Sequence, residues 1–284
     1  MKNLKQLIKE PKTHFIMEAH DAMSAKIVEK IGFPAIWGSG LTMSAANGYR
    51  DLNEISYSEV VNIIDEITSN VNIPVLVDID TGYGDFNNAR LYSKKLEKMR
   101  AQGISIEDKL FPKSNSYLSR STQELIEVDK FKGKIKAIKE GVDNPDFCVV
   151  ARTEAFIAGK KVDDALFRAN QYALAGADAI FIHSKKNTIE EIDEFVKLWD
   201  GIRPIIISPT TYDETEPDIY KELGISIVIW GNYMMRACIA AMKKIGESIF
   251  KKESPKTIKK DIATLSELFS LQHMDEYYML QQKY

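Results

Sequence analysis

Cysteine is scarce in this chain. Cys148 and Cys238 are the only two in 284 residues. Cys148 falls in an apolar strand-like run and Cys238 in a helical pattern, so both are expected to be buried thiols of a reducing compartment. Long apolar runs are missing as well, and nothing approaches the roughly 20 residues that span a bilayer. The first ten residues are too charged for a secretory signal, so a cytoplasmic protein that does not act at a membrane is expected. Neither sign of charge dominates. A net charge of −3 and a pI near 5.9 provide no electrostatic reason to bind nucleic acid. Repeats, low-complexity tracts and flexible linkers are also lacking, which favours one domain over residues 1–284, with 256–284 as a helical extension. What remains, 44% hydrophobic and 28% charged residues, is ordinary for a soluble protein with a full core.

Eight short apolar runs recur, each followed by a segment of helical periodicity. They begin at Phe15, Ala35, Pro74, Gly103, Phe147, Ala177, Pro204 and Ile225. Several are continuous and rich in β-branched residues, as parallel strands buried on both faces are. Residues 162–176 show the helical pattern between them, an amphipathic run ended by Gly176; Gly32, Gly103 and Gly224 stand in similar positions. Eight such units predict an α/β fold of the (β/α)8 TIM-type barrel class, in modified form. Long polar loops are expected from Leu41 to about Tyr57 and from Lys109 to about Ser121. Past Lys252-Glu-Ser-Pro255, the residues Ile258, Ile262, Leu265 and Phe269 recur at helical spacing. A helix with that apolar stripe must cover its own barrel or a neighbouring subunit's.

In such a barrel, chemistry sits at the C-terminal strand ends. Those ends carry Glu18 and His20; Trp37, Ser39 and Gly40; Asp78 and Asp80; Glu107 and Asp108; Arg152 and Glu154; His183 and Ser184; Ser208 and Thr210; and Asn232. Residues two apart on a strand face the same way. Asp78 and Asp80 would then point at the barrel axis, where Glu107 joins them. An all-oxygen cluster of this kind suits Mg2+, with Mn2+ as the other candidate. The competing reading makes the aspartates helix caps or Asx-turns beside Gly82 and Gly84, but Asp85 or Asn87 is the more natural cap. Arg152 suits a phosphonate, phosphate or carboxylate, or else an ion pair with Glu154. Trp37-Gly-Ser-Gly-Leu41 offers either an amide nest for a small carboxylate or simply a tight turn. His183 belongs to the site wall without an assigned proton transfer, and Lys185 and Lys186 read as solvated.

Several motifs together resemble the phosphoenolpyruvate mutase family, within the isocitrate lyase and phosphoenolpyruvate mutase superfamily. They are Glu18-Ala-His-Asp-Ala-Met-Ser-Ala, Ile36-Trp-Gly-Ser-Gly-Leu, Asp78-Ile-Asp-Thr-Gly-Tyr-Gly, Glu107-Asp-Lys-Leu-Phe-Pro-Lys-Ser-Asn-Ser, Ala151-Arg-Thr-Glu-Ala-Phe and Ile182-His-Ser-Lys-Lys. The resemblance runs from about residue 14 to the C-terminal helix. It implies interconversion of phosphoenolpyruvate and phosphonopyruvate, the C–P bond-forming step of phosphonate biosynthesis, with Mg2+. It also implies a final helix swapped between subunits and a homotetramer built as a dimer of such dimers. Carried onto this chain, it makes Asp78 the direct metal ligand, with Asp80 and Glu107 behind metal-bound waters. Trp37, Ser39, Gly40 and Leu41 would line the pyruvyl end. Asp51 would lie near the metal and the migrating group. Lys113 and Asn115 would sit on a mobile gate, with Arg152 and His183 bordering the phosphoryl group.

The C–C bond lyases of this superfamily carry an acid/base cysteine in the corresponding loop. Residues 109–116 contain none, so isocitrate and methylisocitrate cleavage are disfavoured. Phosphonopyruvate hydrolase is the nearer alternative, because similar hydrolases share the barrel but carry a different residue where Asn115 stands. A non-catalytic binding barrel is the third reading. It conflicts with retention of Asp78, Asp80 and Glu107, which repel one another without a cation.

Overall fold

The computed structural model describes residues 2–118, 123–251 and 254–284. The chain divides into two compact units, residues 1–232 and 233–284. In the first, eight parallel strands close into a barrel in sequence order: β1 (His14–Ala19), β2 (Ile36–Gly38), β3 (Val75–Asp78), β4 (Gly103–Glu107), β5 (Cys148–Thr153), β6 (Ala179–Ile182), β7 (Ile205–Ile207) and β8 (Ile227–Trp230). All eight expected runs are strands. Around them lie α1 (Leu4–Lys9), α2 (Ala22–Ile31), α3 (Gly40–Ala46), α4 (Tyr57–Asn70), α5 (Phe86–Lys98), α6 (Val128–Gly141), α7 (Val162–Leu174), α8 (Glu190–Leu198) and α9 (Pro217–Glu222).

Strand alternation sorts the apolar residues into two cores. Val75, Val77, Val149, Ala151 and Ile180 face the helices, while Leu76, Val150, Ala179 and Phe181 face the axis. Leu4, Leu7 and Ile8 of α1 join the axial core and plug its lower end, each fully or almost fully buried. Each such side chain contributes about 1.5–3 kcal/mol. Asn3 caps α1 through a reciprocal bond with Gln6. The short, lysine-rich segment hid this helix from periodicity.

Three local expectations are corrected. The loop from Leu41 is helical to Ala46, because Ser39 caps α3 by accepting from the Thr42 amide. Gly103 does not end a helix; it opens β4. Cys238 is exposed, whereas Cys148 is buried with its thiol pushed up to about 12, chiefly by desolvation.

The second unit holds α10 (Tyr233–Phe250), α11 (Pro255–Ile258), a 3-10 turn (Lys259–Asp261), α12 (Leu265–Leu271) and α13 (Met274–Lys283). Ile258, Ile262, Leu265 and Phe269 therefore do not share one helix. Ile262 is extended and Thr264 starts α12 by accepting from the Glu267 amide. Ile262, Leu265 and Phe269 remain exposed.

Candidate active site

At the C-terminal end of the barrel the strand ends enclose a cavity of about 60 Å³, room for only a few waters. Of the expected residues, Trp37, Ser39, Leu41, Asp51, Asp78, Glu107, Lys113, Asn115, Arg152 and His183 line it. Gly40 and Asp80 stand immediately beside it. A Cβ on Gly40 would lie 3.2 Å from Asp80 Oδ1 and 3.4 Å from Asp78 Oδ2, so the glycine lets the backbone approach both carboxylates. Not every strand-end polar group faces the cavity. Glu18 receives a hydrogen bond from Thr42 at 2.9 Å. Asp108 is buried against Arg168 and Tyr172 of α7 at 3.0 and 2.7 Å, an outward-facing knot that joins strand to helix.

Asp78 ends β3 in the axial register of Leu76. Asp80 arrives differently from expectation. It lies past the strand with φ +52°, and its amide donates to Asp78 Oδ1 at 3.3 Å. A turn, not strand alternation, brings the carboxylates together, while Asp85 takes the capping role on α5. Backbone at Gly82 also has positive φ. A Cβ there would meet Ala89 Cβ at 2.8 Å, so helix α5 packs directly on the turn. From α6, the buried Lys134 Nζ donates to Thr81 O at 2.8 Å and Gly84 O at 2.7 Å, holding the turn from outside.

Burial raises the pKa of Asp78, and Glu107 and Asp51 add to the rise against Lys113 and Arg152. Asp80 is pushed up to about 8, by burial first, against the pull of Lys113 and with Asp78, Asp51 and Glu107 adding to the rise. Glu107 Oε1 is buried with no hydrogen-bond partner among the described residues. That orphaned oxygen is one a further cation would satisfy. Among the described residues no three carboxylate, imidazole or thiolate groups converge tightly enough to chelate one together. The donor chemistry of these carboxylates is that of a hard divalent ion.

Residues 110–118 lie over these acids. Lys113 is buried, with Nζ 2.6 Å from Asp51 Oδ1 and 2.5 Å from Asp80 Oδ1. Asn115 donates to Asp51 Oδ2 at 2.6 Å. Burial works to raise the Asp51 pKa, but Lys113 and Asn115 outweigh it and hold the carboxylate ionised. Lys109 stands at the start of the expected lid. That residue is almost fully buried, bridges antiparallel to Leu125, and donates to Ser114 O and Ser116 Oγ. A buried ammonium needs such partners, and they pin the loop's start. Residues 119–121 of the expected lid lie outside the described residues.

Glu154 is the hub that sequence reasoning missed beyond its pairing with Arg152. It contacts Arg152 Nε, lies 3.3 Å from Lys109 Nζ, receives a hydrogen bond from Ser116 at 2.8 Å, and stands 2.8 Å from His183 Nδ1. Burial pushes its pKa up, but the surrounding cations win and keep it well below the usual range. Arg152 also stands 3.5 Å from Glu107 and over the Phe181 ring. Its ion pair with Glu154 and its place on the cavity wall are thus both observed. Burial lowers the His183 pKa, so its ring is neutral near pH 7. Its Nδ1 stands 2.8 Å from Glu154 Oε1 and 2.9 Å from Arg152 Nη2, and its Nε2 stands 2.9 Å from the Tyr117 hydroxyl. The side chains of Lys185 and Lys186 are exposed, as expected.

Fold and site together define an α/β-barrel enzyme of the kind that handles small anionic substrates with acids placed for a divalent ion. The pattern of the phosphoenolpyruvate phosphomutase family matches residues 4–250, and the chain belongs to that family. It is 46% identical over 281 residues to the phosphoenolpyruvate phosphomutase of Tetrahymena pyriformis, covering 99% of this chain and 94% of the relative. The solved phosphoenolpyruvate phosphomutase of Streptomyces platensis subsp. rosaceus superposes with a TM-score of 0.96 at 37% identity, covering 99% of this chain and 98% of that one. A phosphonopyruvate hydrolase solved with oxalate and Mg2+ superposes with a TM-score of 0.93 at 35% identity, covering 99% and 97%.

Proposed function

We propose that the protein is an isomerase interconverting phosphoenolpyruvate and phosphonopyruvate by intramolecular phosphoryl transfer. The carrying observation is the lid: Lys113 and Asn115 both clasp Asp51 above a cavity walled by Asp78, Glu107, Arg152 and His183. No thiol lines that cavity among the described residues, which leaves C–C cleavage without its acid. Asp78 is the direct ligand of Mg2+ or Mn2+ in this reading, with Asp80 and Glu107 acting through water. The bound ion supplies charge stabilisation to the pyruvyl oxygens as the phosphoryl group leaves. Trp37, Ser39, Gly40 and Leu41 hold the pyruvyl end. Arg152, His183 and Asn115 hold the phosphoryl oxygens, and Asp51 keeps Lys113 and Asn115 aimed at the group in transit. Such a loose transfer needs positioning and charge more than covalent help. A lid packed this tightly also keeps water from intercepting the phosphoryl group.

Residues 1–284 are proposed to work as one barrel with 256–284 as an extension, in the cytoplasm. Exposed Ile262, Leu265 and Phe269 favour assembly with further copies, as helix-swapped pairs forming a tetramer. The deciding experiment follows phosphonopyruvate with Mg2+ by 31P NMR. A phosphoenolpyruvate resonance is expected. Inorganic phosphate would move the protein to the hydrolases, and an unchanged spectrum would make it a binding barrel.

A further inference from the structure

Asn53 lies outside the cavity lining and no role in the reaction above requires it, yet its side chain joins two loops that the reaction brings together. Its Nδ2 donates to Asp80 Oδ2 at 2.7 Å. Its Oδ1 accepts from the backbone amide of Lys113, also at 2.7 Å. Lys113 then closes the circuit, since its Nζ stands 2.5 Å from the other oxygen of Asp80. Three segments, residues 47–56, the turn after β3 and the lid, thus meet in a ring of three side chains. The chemistry fixes the amide's orientation, because a carboxylate needs the NH2 and a backbone N–H needs the oxygen. Asn53 itself has φ +59°, a region asparagine enters more readily than most residues.

We propose that Asn53 is a positioning residue that latches the lid to the carboxylate turn, so that lid closure and the orientation of Asp80 are one event. With the Lys113 amide in place, the Asn53 oxygen is engaged and its NH2 is held on Asp80. When the lid lifts, the Lys113 amide leaves the Asn53 oxygen and the Lys113 ammonium leaves Asp80 together. This coupling rests on the proposed reaction for its purpose but on the ring geometry for its existence.

Hydrogen exchange on the full-length, metal-free protein in EDTA tests it. Asn53→Gly keeps the left-handed backbone accessible while deleting the latch. Asn53→Asp keeps the acceptor for Lys113 but opposes Asp80 with a second carboxylate. In Asn53→Gly the Lys113 amide and its lid neighbours from 110 to 118 are expected to exchange about tenfold faster, the loss of one hydrogen bond in a charged setting; in Asn53→Asp, which retains the acceptor, the rise should be smaller. Amides in β1–β8 should keep their wild-type rates. Unchanged lid exchange in Asn53→Gly would overturn the proposal. So would an equal rise in lid and strands, which would make Asn53 a general stabiliser. Release of inorganic phosphate by the wild type would sink the mutase reading and leave this latch standing.

Discussion

Asn115 meets Asp51 through a charge-assisted bond of 2.6 Å on the inner face of the lid, and the bond does two jobs. It fixes the amide where a phosphoryl oxygen would be held, and it helps keep Asp51 ionised. Asn115→Ala should therefore lower mutase turnover about 10²-fold, equivalent to about 2.7 kcal/mol, with the circular dichroism spectrum and melting temperature of the wild type. Near-native turnover would remove the lid from the mechanism. This residue was legible in the sequence because it stands in a polar loop directly after Glu107. Asn53 was not. Its partners lie 27 and 60 positions away, and only folding brings them within reach. Glu154 was half legible: its pairing with Arg152 two residues earlier was visible, but its contacts to Lys109 and Ser116 were not.

Among the elements, the turn after β3 carries the greatest demand on its surroundings. Asp80, Gly82, Tyr83 and Gly84 all have positive φ, and α6 steadies them through Lys134. Lys134→Met would leave the Thr81 and Gly84 carbonyls without that donor. The expected cost is about 2 kcal/mol, read as a lower urea midpoint, and divalent-ion affinity measured by calorimetry should fall with it. A variant as stable as the wild type would show that the turn holds itself. Strands were easy to read because burial on both faces writes continuous β-branched runs. The turn was misread because strand alternation was extended two residues too far, to Asp80. The stripe from Ile258 to Phe269 failed for a related reason. Helical spacing persists in the sequence even where Ile262 is extended and a new cap at Thr264 restarts the helix.

At the scale of the whole molecule, closure of the barrel buries histidines in opposing circumstances. His14, at the start of β1, loses proton affinity mainly through desolvation, against the pull of Glu10. Its native pKa lies below the ordinary 6.5. The unfolded chain therefore binds more protons just below that pH, and the contribution, fully present above it, is lost as pH falls toward the native value. For His20 burial also lowers the pKa, but Glu18 prevails and raises it. That contribution is present in acid and lost as pH rises through the native value. On going from about pH 7.5 to about pH 5.5, the wild-type urea midpoint should accordingly fall relative to that of His14→Gln. Equal pH dependence would show that His14 keeps its solution affinity. Eight units and a closed barrel were legible in the sequence from the number of apolar runs alone. The plug formed by α1 was not, since its stripe is too short to reveal a period. Glu154 also has a consequence for the lid. A replacement lid lacking Lys109 and Ser116 would leave the buried Glu154 carboxylate with only Arg152 and His183 as partners. Lys113 and Asn115 are tied instead to Asp51, so the ends and the middle of the lid segment answer to different carboxylates.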